Sequence, residues 1–553
     1  MNPGVSVCYS ASSGGNRVTM ETSIRESLRR AEACLRAGEH ASAIRICRSI
    51  LYQRPDDPEA HGLLGVLEGI TGRPEAALQH LLRASELRPG NPGLINNLAL
   101  AYMNTGDLPA AEQHLKACLR RNPGYAPGWY TLAIVKRRQG DIDAAVSAYE
   151  RVLSLNPRHA EAWANLAQLR ERLNQLELAS EAVESSLAIN PGNAMARLTA
   201  SQVDGRLGRH ESAINRLEDL LSERGLSATN EIVARGRLGD ALDALGRTSA
   251  AFQQYREANR LQAELLPADG ETTASPYSLE SVNRMTRFLG EMQHGSDPGE
   301  SSGPSGPFFL MGFPRSGTTL LDRMLSAHPD VVSVEEQETL VDAQRDFLLP
   351  PDGIERLRSI SDDVRGKYQE AYRRRLADAA LQAAPVLLDK LPLHTIFLPL
   401  ISRLFPDSRV IFVVRDPRDV CLSCFMQRFE LNTAMSHFLD LGTTASYYRA
   451  VMQLGLASLD RLPIRARLVR YESLITEPEP LLRELISFLG LDWDPAVLRY
   501  REKLAGSRIT TPSYRQVSQP LYRSSIGRWR RYAAELESVL PELQPLVSQL
   551  GYD

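Results

Sequence analysis

A turn that returns every 34 residues constrains this 553-residue chain more than any other feature. Proline recurs at Pro55, Pro89, Pro123, Pro157 and Pro191, and a small or turn-forming residue recurs at Gly38, Gly72, Gly106, Gly140, Asn174 and Gly208. Five residues after each of the latter stands an alanine, at Ala43, Ala77, Ala111, Ala145, Ala179 and Ala213. A seventh unit follows at Gly246 and Ala251 after a four-residue insertion. These positions suit two antiparallel helices per unit: Gly ends the first helix in a left-handed cap, Ala lets the two helices approach closely, and Pro closes the second. Apolar pairs such as Trp129/Leu132 and Trp163/Leu166 mark the face that packs within and between units. No unit buries its face alone, so the units are expected to stack into a solenoid with a concave groove.

With three position classes on one period, the array resembles tetratricopeptide repeats. The resemblance covers residues 24–262, about seven repeats, and implies an all-α superhelix. Residues 1–23 are expected to be a flexible tail, with more ordered sequence starting at Met20. Such solenoids bind peptides or proteins, or serve as spacers and oligomerisation surfaces. Tyr102, Tyr125, Tyr130 and Tyr149 are either groove anchors or core.

The repeat is lost over residues 263–307, which read as a linker. One more helix fits between Thr272 and Gly290, and the Gly-, Ser- and Pro-rich run from His294 to Pro307 marks the domain boundary. A second kind of domain is expected over 308–553. From Phe308 an apolar strand leads into Pro314-Arg315-Ser316-Gly317-Thr318-Thr319, and a helical pattern resumes at Leu320, Leu321, Met324 and Leu325. A Gly-containing loop feeding a helix N-terminus presents unpaired N–H groups, the positive end of a helix dipole and here three hydroxyls. It suits an anionic group, foremost a phosphate. It is not a Walker A loop, because Gly317-Thr318-Thr319 lacks the lysine of that motif.

Two further strands end in cations. Pro385 to Pro392 is a short apolar run ending in Lys390, and Ser408 to Asp419 reads as a buried parallel strand, then Arg415 and a helix start. Strands alternating with helices predict a P-loop-like α/β domain with a parallel sheet, whose ligands sit at the carboxyl ends of the strands. Arg315, Lys390 and Arg415 all fall at that end. The residues around Arg415 also allow a plain ion pair with Asp416 or Asp419.

The PRSGTT loop resembles the 5'-phosphosulfate loop of sulfotransferases, which use 3'-phosphoadenosine-5'-phosphosulfate (PAPS) as sulfuryl donor. The segment through Ala327-His328-Pro329-Asp330-Val331 to Glu335-Glu336 is most similar to the protein-tyrosine sulfotransferase branch. The resemblance implies a donor site made of Arg315, Ser316, Gly317, Thr318 and Thr319, with Arg415 and Ser423 on the 3'-phosphate. It implies Glu336 as general base, with Glu335 the alternative, and Arg315 and Lys390 flanking the bridging oxygen. Tyr471, in Arg470-Tyr471-Glu472-Ser473-Leu474, is implied near donor or acceptor. The closing segment from Gln516 through Ser518 and Ser525 to Trp529 is implied to bind donor, with Arg528 where that branch has a lysine. A serine expected upstream of it falls at Ser513 or Tyr514. The branch's further arginine, four residues after the serine, is absent: that position is Gln427, with Arg428 beside it. His394 is a runner-up base, His328 closes a helix, and Arg530 and Arg531 read as a solvated basic face. No metal is implied where cations hold the leaving group's charge.

Composition narrows the classes. Hydrophobic content of 43% and charged content of 24% are those of a soluble globular protein, and a net charge of −3 gives no ground for nucleic acid as main partner. No apolar run is long enough for a membrane span, and the first residues lack the pattern of a signal peptide. Six scattered cysteines fit reduced thiols in a cytoplasmic protein, and Cys421-x-x-Cys424 reads as part of a buried helix. The reading is a PAPS-dependent transfer to a hydroxyl, with protein or peptide tyrosine as acceptor, the repeat groove gripping acceptor or partner, and a homodimer allowed. Its rivals are a carbohydrate or small-molecule sulfotransferase and a non-catalytic repeat scaffold with a nucleotide-binding domain.

Overall fold

The structure is a computed structural model that describes residues 13–266, 275–292, 306–380, 382–504 and 525–553. Contacts divide it into two compact units, Met1–Ser222 and Glu223–Asp553. Among the described residues no helix is long and apolar enough to cross a membrane.

The first unit holds six helical hairpins, from Ser13–Arg36 with His40–Gln53 to Ala194–Arg206 with His210–Ser222. Helix Ser13–Arg36 starts well inside the stretch expected as a tail. The 34-residue turn residues do what their chemistry dictates. Gly38, Gly72, Gly106, Gly140 and Gly208 all have φ between 75° and 86°, the left-handed region in which a Cβ is costly, and Asn174 fills the same slot at 62°. The alanines five residues on, from Ala43 to Ala213, are at most 2% exposed, so each hairpin closes helix on helix without a gap. Caps recur with the period too: Asp57, Asn91, His159 and Asn193 each accept a first-turn N–H of the following helix. Trp129 and Trp163 donate their ring N–H to the carbonyls of Pro123 and Pro157, both at 2.9 Å. Tyr149 is core, fully buried and packed edge-on by Tyr130, whereas Tyr102, Tyr125 and Tyr130 are half-buried.

The second unit opens with the seventh hairpin, Ala228–Ala244 and Thr248–Glu264. The sequence places this hairpin in the solenoid and the boundary in 263–307; by contacts the hairpin groups with the residues that follow it. The cause is what the hairpin buries its face against. Phe252 stacks on Phe425 at 4.9 Å, and Asn259 Nδ2 donates to Phe425 O at 2.9 Å. The extra helix of the linker is Leu279–Glu291.

Five parallel strands form the sheet: β1 (Phe308–Gly312), β2 (Val331–Glu335), β3 (Val386–Lys390), β4 (Arg409–Val414) and β5 (Arg465–Arg470), in the order β2-β3-β1-β4-β5. Every residue of central β1 is buried, as its unbroken apolar run requires. Leu310, Leu321, Leu325, Leu388 and Val413 share one core cluster at 0% exposure, each side chain contributing about 1.5–3 kcal/mol by leaving water. That cluster fixes helix Thr318–Leu325 on the sheet. Because the strands are parallel, their carboxyl ends fall along one edge, and the candidate site is built there.

Candidate active site

β1 passes through buried Phe313 and Pro314 into a tight turn, closed by the Ser316 N–H on Phe313 O at 3.1 Å. Arg315 (φ 68°) and Gly317 (φ 106°) are both left-handed. At Gly317 the need is double: a Cβ would also run into the Tyr471 ring. Thr395 Oγ1 pins the strand end by donating to Gly312 O at 2.5 Å. Helix Thr318–Leu325 then starts with no side-chain cap on its first N–H groups, and Ser316 Oγ is buried without a hydrogen-bond partner. A helix start without a side-chain cap, beside a buried hydroxyl at Ser316 that has no partner, fits an anion supplied from outside.

Arg315 reaches across to the helix Pro417–Met426, where its Nε donates to Ser423 Oγ at 3.1 Å. Arg415, at the end of β4, donates through one terminal nitrogen to Arg315 O at 3.2 Å and through the other to Ser525 O at 2.6 Å, while its Nε is buried without a partner. Its guanidinium lies 4.6 Å from the Tyr471 ring centroid, and the Tyr471 hydroxyl meets Ser525 Oγ at 2.9 Å. Arg315, Ser423, Arg415 and Tyr471 therefore form one cluster beside the loop. The ion pair allowed for Arg415 exists with Asp419, at 3.8 Å; Asp416 instead clamps Arg418 with two bonds of 2.8 and 2.9 Å.

A second cluster stands at the ends of β2 and β3. Lys390 is fully buried and donates to Glu336 Oε1 at 2.6 Å and Glu335 Oε1 at 3.3 Å. Glu335 is held from behind by Arg323, whereas the Glu336 side chain is 42% exposed. Glu336 also has φ 53°, and its N–H bonds Lys390 O at 2.8 Å. Among the described residues only Asn174, Arg315 and Glu336 are non-glycines with positive φ, and the last two stand at this sheet edge. Such backbone costs roughly 1–3 kcal/mol per residue and persists where the surroundings impose it. Beneath lies Asp322, whose carboxyl burial pushes up to about 6 against the opposing pull of the Lys390 charge.

Other sequence-predicted residues land elsewhere. Arg528 does not join the loop; it pairs with Asp243 at 2.8 Å. Arg428 likewise turns to Asp240, at 3.6 Å. His394 is sealed between Phe309 and Phe397, and burial pushes its ring down to about 3, which leaves a very weak base with no access to an acceptor. His328 closes its helix, bonding Asp492 O at 2.9 Å and the Asp330 N–H at 3.1 Å. Cys421 and Cys424 are buried thiols whose titration burial pushes up, Cys424 to about 12. Ser513, Tyr514, Gln516 to Pro520 and Arg523 lie outside the described residues. Sequence reasoning missed the work of Asp419, which accepts the Gly527 and Trp529 N–H groups at 2.7 and 2.8 Å. The acidic residue one turn after Arg415 was the available signal.

Residues 307–495 match the sulfotransferase family model, and residues 71–134, 130–194 and 173–262 match tetratricopeptide repeat models. Protein-tyrosine sulfotransferase 1 of Danio rerio is 28% identical over 258 residues, 44% of this chain and 72% of that protein. The human protein-tyrosine sulfotransferase 1 is 27% identical over 264 residues, 44% of this chain and 69% of that protein. An uncharacterized Aquifex aeolicus protein is 27% identical over 350 residues, which is 60% of this chain; the chain spans only 44% of that relative's length. A Pseudomonas aeruginosa pilF structure overlays 38% of this chain and 97% of its own at TM-score 0.35 and 17% identity.

Proposed function

We propose that this chain, tetratricopeptide repeats joined to a sulfotransferase-family domain, transfers a sulfuryl group from PAPS to a tyrosine hydroxyl of a protein or peptide. The observation that carries the reading is the pair of clusters on one sheet edge, Arg315–Ser423–Arg415 beside an uncapped loop and Lys390–Glu336 one strand over. The donor brings an activated sulfuryl group and two phosphates. Ser316, Thr318, Thr319 and the N–H groups after Gly317 bind the 5' side, and the forked Arg415 with Ser423 binds the 3'-phosphate. Tyr471, under the Arg415 guanidinium, holds that fork in place.

A tyrosine acceptor is mostly protonated at neutral pH, with an unperturbed pKa of about 10, so its attack gains from a base. Glu336 takes that proton as the new sulfur–oxygen bond forms and the bond to the bridging oxygen breaks. Lys390 and Arg315 hold the negative charge gathered on the leaving oxygen. Glu335, committed to Arg323 and Lys390, orients the lysine instead. In this reading 24–262 grips acceptor or partner and 308–553 carries the chemistry. The five described cysteines are all free, which favours the cytoplasm.

Incubation with sulfur-labelled PAPS and three acceptor sets, tyrosine peptides, free phenols and oligosaccharides, tests this. Label on the peptides, lost by about 100-fold or more in Glu336→Gln while nucleotide binding persists, is the expected result. Label on oligosaccharide or free phenol alone overturns the tyrosine assignment, and label nowhere overturns the enzyme.

A further inference from the structure

The seventh helical hairpin repeats the pattern of the others in sequence, yet its contacts belong to the sulfotransferase domain. We infer that it is a working part of the donor site, with Asp243 as the positioning residue. This rests on the donor reading above.

Asp243 sits near the end of helix Ala228–Ala244, and three side chains converge on it: Arg528 at 2.8 Å, Tyr532 at 2.6 Å and Arg531 at 3.2 Å. Those partners come from one stretch, so Asp243 fixes where 528–532 lies. The residues just before it close the donor cluster. Gly527 and Trp529 donate their N–H groups to Asp419, Asp419 stands 3.8 Å from Arg415, and Ser525 O accepts from Arg415 at 2.6 Å. Arg415 in turn bonds Arg315 O in the loop. A continuous set of contacts thus runs from Asp243 to the phosphate-binding turn.

The same hairpin holds the donor site from a second side. Ser423 lies on helix Pro417–Met426, whose last carbonyls have no partner within the helix. Asn259 Nδ2 donates to Phe425 O at 2.9 Å, and Gln262 Nε2 to Phe429 O at 3.1 Å just beyond. Asp240 binds the Tyr255 hydroxyl at 2.9 Å and lies 3.6 Å from Arg428, which packs so closely on Gly236 that a Cβ there has no room. A lone exposed ion pair is worth little, whereas a half-buried carboxylate with three donors resists displacement. Its loss leaves Arg528 and Tyr532 without their acceptor and frees the stretch that closes on Arg415.

Full-length Asp243→Asn, Asp243→Glu, Arg528→Gln and the Asp243→Asn/Arg528→Gln pair test this by calorimetric titration with 3'-phosphoadenosine-5'-phosphate and by amide hydrogen exchange at Gly527 and Trp529. Asp243→Asn and Arg528→Gln each weaken nucleotide binding about tenfold, the pair no further, and Asp243→Glu recovers part of the loss. KM for the donor rises with that loss while kcat changes far less. Exchange at Gly527 and Trp529 quickens in Asp243→Asn even without nucleotide. Equal binding in wild type and both single variants, or unchanged exchange at those two amides, overturns the inference. No binding by wild type overturns the donor reading itself, and the exchange data then stand as the separate measure of whether Asp243 holds the segment.

Discussion

Asp389 and His394 show how burial sets charge beside the site. Both are fully buried, 3.9 Å apart, and burial moves them in opposite directions, Asp389 up to about 7 and His394 down to about 3. Asp389 accepts from Thr339 Oγ1 at 2.6 Å, which holds the segment after Glu336. With a folded pKa above the unfolded one, Asp389 contributes stability that is fully present below about pH 4 and lost as pH rises through about 7. His394 has the reverse sign, losing stability as pH falls through about 6.5 toward 3. Asp389→Asn isolates the first effect: relative to wild type, the variant gains stability between pH 5 and pH 8, by at most about 1.4 kcal/mol per pH unit, in denaturant titrations at the two pH values. A difference that shrinks over that interval contradicts the assignment. Strand-end position and loop chemistry singled out Arg315, Lys390 and Arg415, whereas Glu336 came only from the resemblance to sulfotransferases. Arg528 was not, because its partner Asp243 is 285 residues away and no local pattern announces it.

At the scale of elements the turn glycines separate two uses of the same residue. Gly106 has φ 86° and nothing within 4 Å of a Cβ, so only its backbone conformation is at stake. Gly106→Ala therefore lowers repeat stability by about 1–2 kcal/mol without moving a neighbour, read as an earlier loss of helical circular dichroism in urea. An unchanged midpoint refutes the left-handed cap as the reason for glycine there. The hairpins were readable because each is specified within one 34-residue unit: cap, alanine contact and closing turn are local. Strands β1, β3 and β4 were readable from apolar runs that lead to a cation, whereas β2, which ends in Glu335, was not. Which neighbour a hairpin packs on is not local, and the seventh hairpin keeps the repeat's pattern while burying Phe252 against Phe425.

For the whole molecule, the repeat pattern and the α/β pattern meet within the second unit, whose contacts begin at Glu223 rather than at the first strand. The proposed donor site draws on the turn after β1, the end of β4, helix Pro417–Met426 and Ser525, which hydrogen bonds join at the sheet edge where the parallel strands end. The measurement that bears most directly on the claim that this edge is a nucleotide site is the thermal shift of the full chain with 3'-phosphoadenosine-5'-phosphate, wild type against Arg415→Ala. At 100 times its Kd the nucleotide adds about 2.7 kcal/mol to the unit that binds it. The account predicts a saturable rise in the wild-type transition that Arg415→Ala loses. A wild type that does not shift, or an Arg415→Ala that shifts equally, contradicts it.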